Sequence, residues 1–285
     1  MPVNGRRERY SVWLCDERAR EAVPEVPVFR IVQRPRASTI RNLFVFCTAV
    51  QLPEVSHLVS TVNRRNQLRA LFLREDANLA WLPQLLERGK LRAIRHLLVH
   101  SDLDMPRRVL TAWQFGAERR LIARAMTAND RLFVTSCLPE TFEIEFDRMP
   151  ALRRLRKRDR GNFVVSDDGS YIHWRSQDVH VDLDAILSVL DTAYGDTCAA
   201  ARLAHHKTLG QAVAALRRRQ GLRQAEVAGL SDRQVRRIET GGRATVPALK
   251  RLAAAHRMGL DEYLNALAAH IEAVDRDATS GSLPS

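Results

Sequence analysis

The chain has 285 residues, 45% hydrophobic and 27% charged, enough for one large domain or two to three small ones with a buried core. Its formal net charge of +12, with an isoelectric point of about 10.5, points to a polyanionic partner. The four cysteines (Cys15, Cys47, Cys137, Cys198) lie far apart, which argues against a disulfide framework or a C-x-x-C metal site. The opening residues lack the apolar core of a signal peptide, and no apolar run approaches the roughly 20 residues of a membrane span. A soluble, reduced, cytoplasmic chain is the expectation.

The charge is unevenly spread. Residues 202–257 hold 13 Lys and Arg against three acids, Glu226, Asp232 and Glu239, a surplus of 10. Residues 148–160 hold seven basic residues against Asp159. Everything else is mildly acidic, so a nucleic-acid contact belongs to these two segments.

Residues 1–25 are charged and irregular, an arm expected to order against a partner or the body of the protein. Residues 26–32 read as a strand. Residues 43–50 (Leu-Phe-Val-Phe-Cys-Thr-Ala-Val) read as a strand or a buried helix, which periodicity alone does not separate. After Pro53, suited to a helix's first turn, Val55, Leu58, Val59 and Val62 recur at helical spacing. The same spacing in residues 79–86, 91–99, 109–115 and 121–126 predicts a mostly helical region from 53 to 126.

The period then changes. Residues 132–138 and 142–146 read as strands, the second strictly alternating, and residues 163–174 as a hairpin turning at Asp168 and Gly169. Leu183, Ile186, Leu187 and Leu190 return to helical spacing. Gly169, Ile172, Trp174, Asp178 and Asp182 make a G-x-x-I-x-W-x-x-x-D-x-x-V-D pattern. On these positions residues 132–190 resemble a small bacterial domain of unknown function that pairs two short β-hairpins. The resemblance implies a fold unit and no chemistry. Tyr171 and Trp174 are read as core or capping aromatics, and His57, His173 and His180 as satisfied structural histidines. Residues 192–208 read as a linker, and residues 275–285 as a tail too polar to pack.

The densest pattern lies in residues 209–264. A first helix over 209–220 places Leu209, Val213 and Leu216 on one face and Arg217, Arg218 and Arg219 in its last turn, with Gly221 as its stop. A short second helix over 224–228 ends at Gly229, which permits a tight turn. Ser231 and Gln234 form an S-x-x-Q capping box at the start of a third helix. Val235 and Ile238 face inward there, with Arg233 and Arg237 opposite and Asp232, Gln234 and Arg236 flanking. Three arginines on the outer face of one short helix suit a major groove, where Arg grips guanine and Gln reads adenine. Pro247 opens a fourth helix, and a fifth runs from Asp261 to about residue 274.

Leu216-Arg217, Gly221-Leu222-x-Gln224 and Arg237-Ile238-Glu239-x-Gly241 resemble the Cro/C1-type helix-turn-helix family of bacterial and phage repressors. The resemblance implies a DNA-binding set of Arg223, Gln224, Ser231, Asp232, Arg233, Gln234, Arg236, Arg237 and Arg243, with Gln224 on a phosphate. It also implies a structural brace between Arg217 and Glu239, and a homodimer reading two half-sites. The stretch at Ala228 and Gly229 is a few residues shorter than the family pattern, so the second helix is short.

Upstream, Arg95 and His100 have an R-x-x-x-x-H form that resembles HEPN-type helical ribonucleases, in which arginine and histidine act on the RNA phosphate. A pattern with two fixed positions also arises by chance in an arginine-rich chain. His96 and His100 at i, i+4 come with no third metal ligand, and Asp182 and Asp184 read as helix-starting acids. With no Gly-rich phosphate loop, G-x-S-x-G or H-E-x-x-H, no catalytic residue, metal or cofactor is assigned.

The expected architecture is α+β and multi-domain. It comprises a mixed, mostly helical N-terminal domain (1–128), a small β-hairpin-rich domain (129–191), a linker (192–208), an all-α helix-turn-helix domain (209–274) and a disordered tail (275–285). The expected function is sequence-specific binding of double-stranded DNA by a dimeric transcription regulator of bacterial type, with no membrane and an N-terminal region open to a protein partner. The alternatives are a nucleic-acid effector carrying the ribonuclease site and a DNA-binding scaffold for a protein complex.

Overall fold

Six consecutive buried residues, Leu43–Thr48 (β3), form the centre of a five-stranded parallel sheet in the computed structural model, which describes residues 10–33, 35–75, 82–89, 91, 94 and 96–280. The sheet order is β2-β1-β3-β4-β5, with β1 at Tyr10–Leu14, β2 at Phe29–Val32, β4 at Leu68–Arg74 and β5 at Leu97–His100. Every pairing in it is parallel. On one face Phe44, Phe46 and Phe72 pack with Val109, Leu110 and Trp113 of α3 (Asp104–Phe115) and with Ala19 of a 3-10 turn, Glu17–Ala22. On the other, Val45, Leu71 and Leu73 pack with Val55, Val59 and Val62 of α1 (Leu52–Arg64), joined by Leu82 and Leu86 of α2 (Leu82–Arg88).

Residues 53–126 are therefore not mostly helical. They alternate helix and strand, through β4, β5 and a further strand, β6, at Ile122–Ala128. A parallel strand covered on both faces shows a continuous apolar run, as in Leu-Arg-Ala-Leu-Phe-Leu-Arg of β4, and such runs imitate a buried helix. Residues 79–81 of one expected helix lie outside the described residues. β1 likewise lies within the segment read as an arm.

β6, β7 (Arg131–Ser136) and β8 (Thr141–Glu145) form an antiparallel sheet. A second antiparallel sheet joins β9 (Val164–Val165), β10 (Ile172–Trp174) and β11 (Val179–Val181). Both sheets, α4 (Pro150–Arg153) and α5 (Leu183–Leu190) share a core that includes Ile122, Leu132, Ile144, Phe146, Trp174 and Ile186. The indole N–H of Trp174 donates to the Arg160 carbonyl at 3.0 Å. Arg160 itself is drawn inward, bonding Asp130 and Asp147 and lying 4.7 Å over the Phe146 ring. It leaves Arg148, Arg153, Arg154, Arg156 and Arg158 as the exposed arginines of that basic run.

The chain divides into two units after Asp191. The boundary expected near residue 128 falls inside the first, where the Trp113 indole N–H donates to the Cys137 carbonyl at 2.9 Å and Ala123 and Cys137 join the core beneath α3. In the second unit, residues 192–208 are not an extended linker. They are the first turns of α6 (Thr192–Arg219), an alanine-rich stretch with no proline. A 3-10 turn (Gln224–Glu226), α7 (Asp232–Glu239), α8 (Val246–Ala255) and α9 (Leu260–Ser280) follow. No glycine or proline interrupts Leu260–Ser280, so helix extends into the segment expected to be tail; residues 281–285 lie outside the described residues. Among the described residues no helix is long and apolar enough to cross a membrane.

Candidate nucleic-acid interface

The second unit is built around the crossing of α6 and α7. A side chain at Gly210 would stand 2.8 Å from the Glu239 carbonyl oxygen and closer still to that of Ile238, so only glycine lets the two backbones approach this far. Val213, Val235, Ile238, Leu252, Tyr263 and Leu267 fill the space below.

A buried ion pair locks the crossing. Arg217 Nε donates to Glu239 Oε1 at 2.5 Å and Nη2 to Oε2 at 3.0 Å, while Nη1 donates to the Leu222 carbonyl at 2.5 Å. The paired fork fixes geometry as well as charge. Burial pushes the Glu239 carboxyl up, but hydrogen bonds from Arg217 and Gln224, with the Arg217 charge, outweigh it and hold the group below the ordinary range. Gln224 donates to Glu239 Oε2 at 2.6 Å. The amide expected on a phosphate is thus committed to the brace.

The N-terminus of α7 carries a reciprocal cap. Ser231 Oγ accepts from the Gln234 backbone N–H at 3.2 Å, and Gln234 Oε1 accepts from that of Ser231 at 2.9 Å. Gln234 therefore spends its side-chain carbonyl on the cap. The preceding turn needs Gly229 at φ +76, whose carbonyl accepts from the Arg251 guanidinium.

From this fixed base Ser231, Asp232, Arg233, Gln234, Arg236 and Arg237 are exposed, as is Arg243 beyond the helix. Among the described residues no carboxylate pairs with Arg233, Arg236, Arg237 or Arg243 within salt-bridge distance. Gln234, Arg237, Arg243 and Arg251 line one shallow cavity of about 100 Å³, which draws Arg243 beside α7 and adds Arg251, a residue the sequence pattern did not single out. Arg223 differs from the other arginines. Its backbone N–H and its guanidinium both bond Glu226, at 2.6 and 3.0 Å, and this holds the Glu226 carboxyl below its ordinary range.

The R-x-x-x-x-H pattern is not assembled on a helix. Arg95 lies outside the described residues, and His100 is a buried residue of β5 whose Nδ1 bonds the Asp102 carbonyl at 2.7 Å. His96 Nδ1 bonds the Leu68 carbonyl at 3.0 Å, so no i, i+4 helical face exists there. Burial lowers the His100 pKa. Asp182 caps α5, accepting from the Ala185 N–H at 2.7 Å, and Asp184 reaches Arg120 at 3.3 Å.

The first unit has a polar concavity among its described residues. At the carboxyl ends of β1 and β4 the buried Asp16 pairs with Arg74 at 3.2 Å. Beside them is a cavity of about 300 Å³ lined by Arg18, Glu21, Arg74, Ser101, Asp102 and Leu103. Its lining mixes both charges and selects no single ligand class.

No curated protein and no solved structure matches the chain. Residues 213–263, from α6 through the start of α9, match the helix-turn-helix family. The C-terminal unit thus carries a helix-turn-helix of the Cro/C1 type.

Proposed function

We propose that the chain is a sequence-specific DNA-binding transcription regulator, acting in the cytoplasm as a dimer, with α7 inserted in the major groove. The observation that carries this reading is the set of exposed arginines without carboxylate partners, Arg233, Arg236 and Arg237, on a helix held by a cap and a buried brace. An arginine that grips guanine O6 and N7 discriminates by about 1–3 kcal/mol, but only when its helix is fixed relative to the groove. Arg243 and Arg251 flank α7 as phosphate contacts. Gln224 serves the brace, so the phosphate role implied for it passes to the flanking arginines. The first unit is then the part that senses a signal or holds a protein partner.

Genomic mapping of binding sites with the intact chain supplies the operator. On that operator, Arg233→Ala with Arg237→Ala lowers affinity by about tenfold to a hundredfold per lost guanine contact and relaxes sequence preference. Arg243→Ala weakens specific and non-specific DNA alike and flattens the dependence on salt by about one unit of slope. Unchanged affinity in the double variant refutes the reading, and sedimentation of the free chain as a monomer refutes the dimer.

A further inference from the structure

The β10–β11 hairpin alternates sides: Ile172, Trp174 and Val181 are buried in the core, while His173 is partly exposed and His180 exposed on the other face. In the antiparallel register His173 stands directly opposite His180, and their imidazole centroids are 3.9 Å apart at 14°. Asp178, at the turn with a left-handed φ of +49, completes the group. Its Oδ1 lies 3.4 Å from His173 Nε2 and 3.7 Å from His180 Nδ1, and one donor atom from each residue lies within 4.8 Å of the others.

Two facts say what such a group is suited to. Imidazole nitrogen with carboxylate oxygen is a donor set for zinc and neighbouring divalent transition metals. A tetrahedral ion at about 2.0–2.1 Å from each donor requires donors about 3.3 Å apart, close to both separations from Asp178. As an ion pair alone the arrangement is poor. Asp178 is 87% exposed, where such pairs contribute little, and two stacked imidazoles repel once both are protonated. A metal binds the neutral rings and the carboxylate together. Closing on it requires the two rings to rotate out of their stack beside Tyr171, on a strand pair whose other face is anchored by Trp174.

We propose that His173, Asp178 and His180 form a three-ligand site for a divalent transition-metal ion of the zinc class, with a fourth position open to water or an exogenous donor. The site goes beyond the DNA-binding reading and does not depend on it.

The test uses the full chain stripped of metal by chelation, titrated with Zn²⁺ by calorimetry and with Co²⁺ by visible absorption. One equivalent is expected, with the intense visible bands of low-symmetry Co²⁺. His180→Ala and Asp178→Asn each weaken binding about a hundredfold, since even partners that only orient ligands are worth about 10–100-fold. Failure of the wild-type chain to take up an equivalent overturns the proposal. So does a His173→Ala/His180→Ala variant with unchanged stoichiometry, affinity and Co²⁺ spectrum. Should the variants misfold, Zn²⁺ must still protect His173 and His180 of the wild-type chain from diethylpyrocarbonate, and equal labelling with and without the ion also overturns it.

Discussion

The two units hold themselves together by different means. The first relies on rings: Phe46 and Phe72 stack at 4.3 Å, and Trp113 meets Tyr10 and Phe44 edge-on at 5.5 and 5.6 Å. The second has a core of aliphatic side chains around Tyr263, with a buried ion pair and a close glycine contact at its helix crossing and a capping box at the start of α7. Stabilisation from apolar burial grows with area, at about 25 cal/mol per Å², and is shared among many contacts. A small helical unit has less of that area, so single polar groups carry a larger share. Damage to the aromatic core of the first unit should therefore come from lost volume, and damage at the α6–α7 crossing of the second from a lost partner.

The largest expected effect is in the aromatic core. Phe72→Ala should cost about 3–5 kcal/mol, seen as a lower denaturant midpoint, because the cavity opens between Phe46 and helix-facing neighbours that cannot collapse into it. Comparable in size, about 3–5 kcal/mol, is Glu239→Gln, which strands the buried Arg217 guanidinium. The readout is hydrogen exchange at the α7 amides. Replacing both partners with apolar residues, Arg217→Met with Glu239→Leu, should recover most of the loss, since the penalty lies in the unpaired charge. A cost well under 1 kcal/mol for Glu239→Gln would erase the contrast between the units.

Next comes Gly210→Ala, which should destabilise the second unit by about 1–3 kcal/mol through overpacking against the backbone of α7. On the propensity of the exposed helix alone the same change would stabilise by up to about 1 kcal/mol, so the sign of the measured shift decides which effect wins. DNA affinity should fall as well if α7 is the helix that enters the groove, because it is displaced.

The contrast also explains what could be read in advance. Caps and turns are local in sequence: Ser231 with Gln234, Gly221, Gly229 and Pro247 mark helix ends three or four residues from the groups they serve. The start of α7 was legible for that reason. Of the parallel sheet, β2 was read as a strand and β3 as a strand or buried helix, but β1, β4, β5 and the sheet itself were not, because its pairings join residues far apart, as Leu71 with Leu97 and Val12 with Phe44. The same limit hid Gly210, whose purpose appears only against Ile238. It also hid the approach of His173 to His180, separated in sequence and opposite in register. Exposed Arg233, Arg236 and Arg237 could be named from a helical wheel, whereas the turning-in of Gln224 depends on where Glu239 lies.

The smallest effect sharpens the comparison by pH. His256 is buried in the second unit with its ring 5.0 Å from that of Tyr263, and neither its Nε2 nor the Tyr263 hydroxyl has a hydrogen-bond partner among the described residues. Burial, and then the Arg217 charge, lower its pKa from the ordinary 6.5. The unfolded chain therefore takes up a proton before the folded one does, and stability is full above pH 6.5 and declines as pH falls through the folded value. Glu239, also held low, adds a loss of the same sign from about pH 4.5 downward. The melting temperature of the second unit should drop as the pH falls below about 6.5, and His256→Phe should flatten that upper step while leaving the lower one. Equal slopes in the two proteins would mean that the histidine is solvated and that the second unit's sensitivity to polar groups ends at its ion pair.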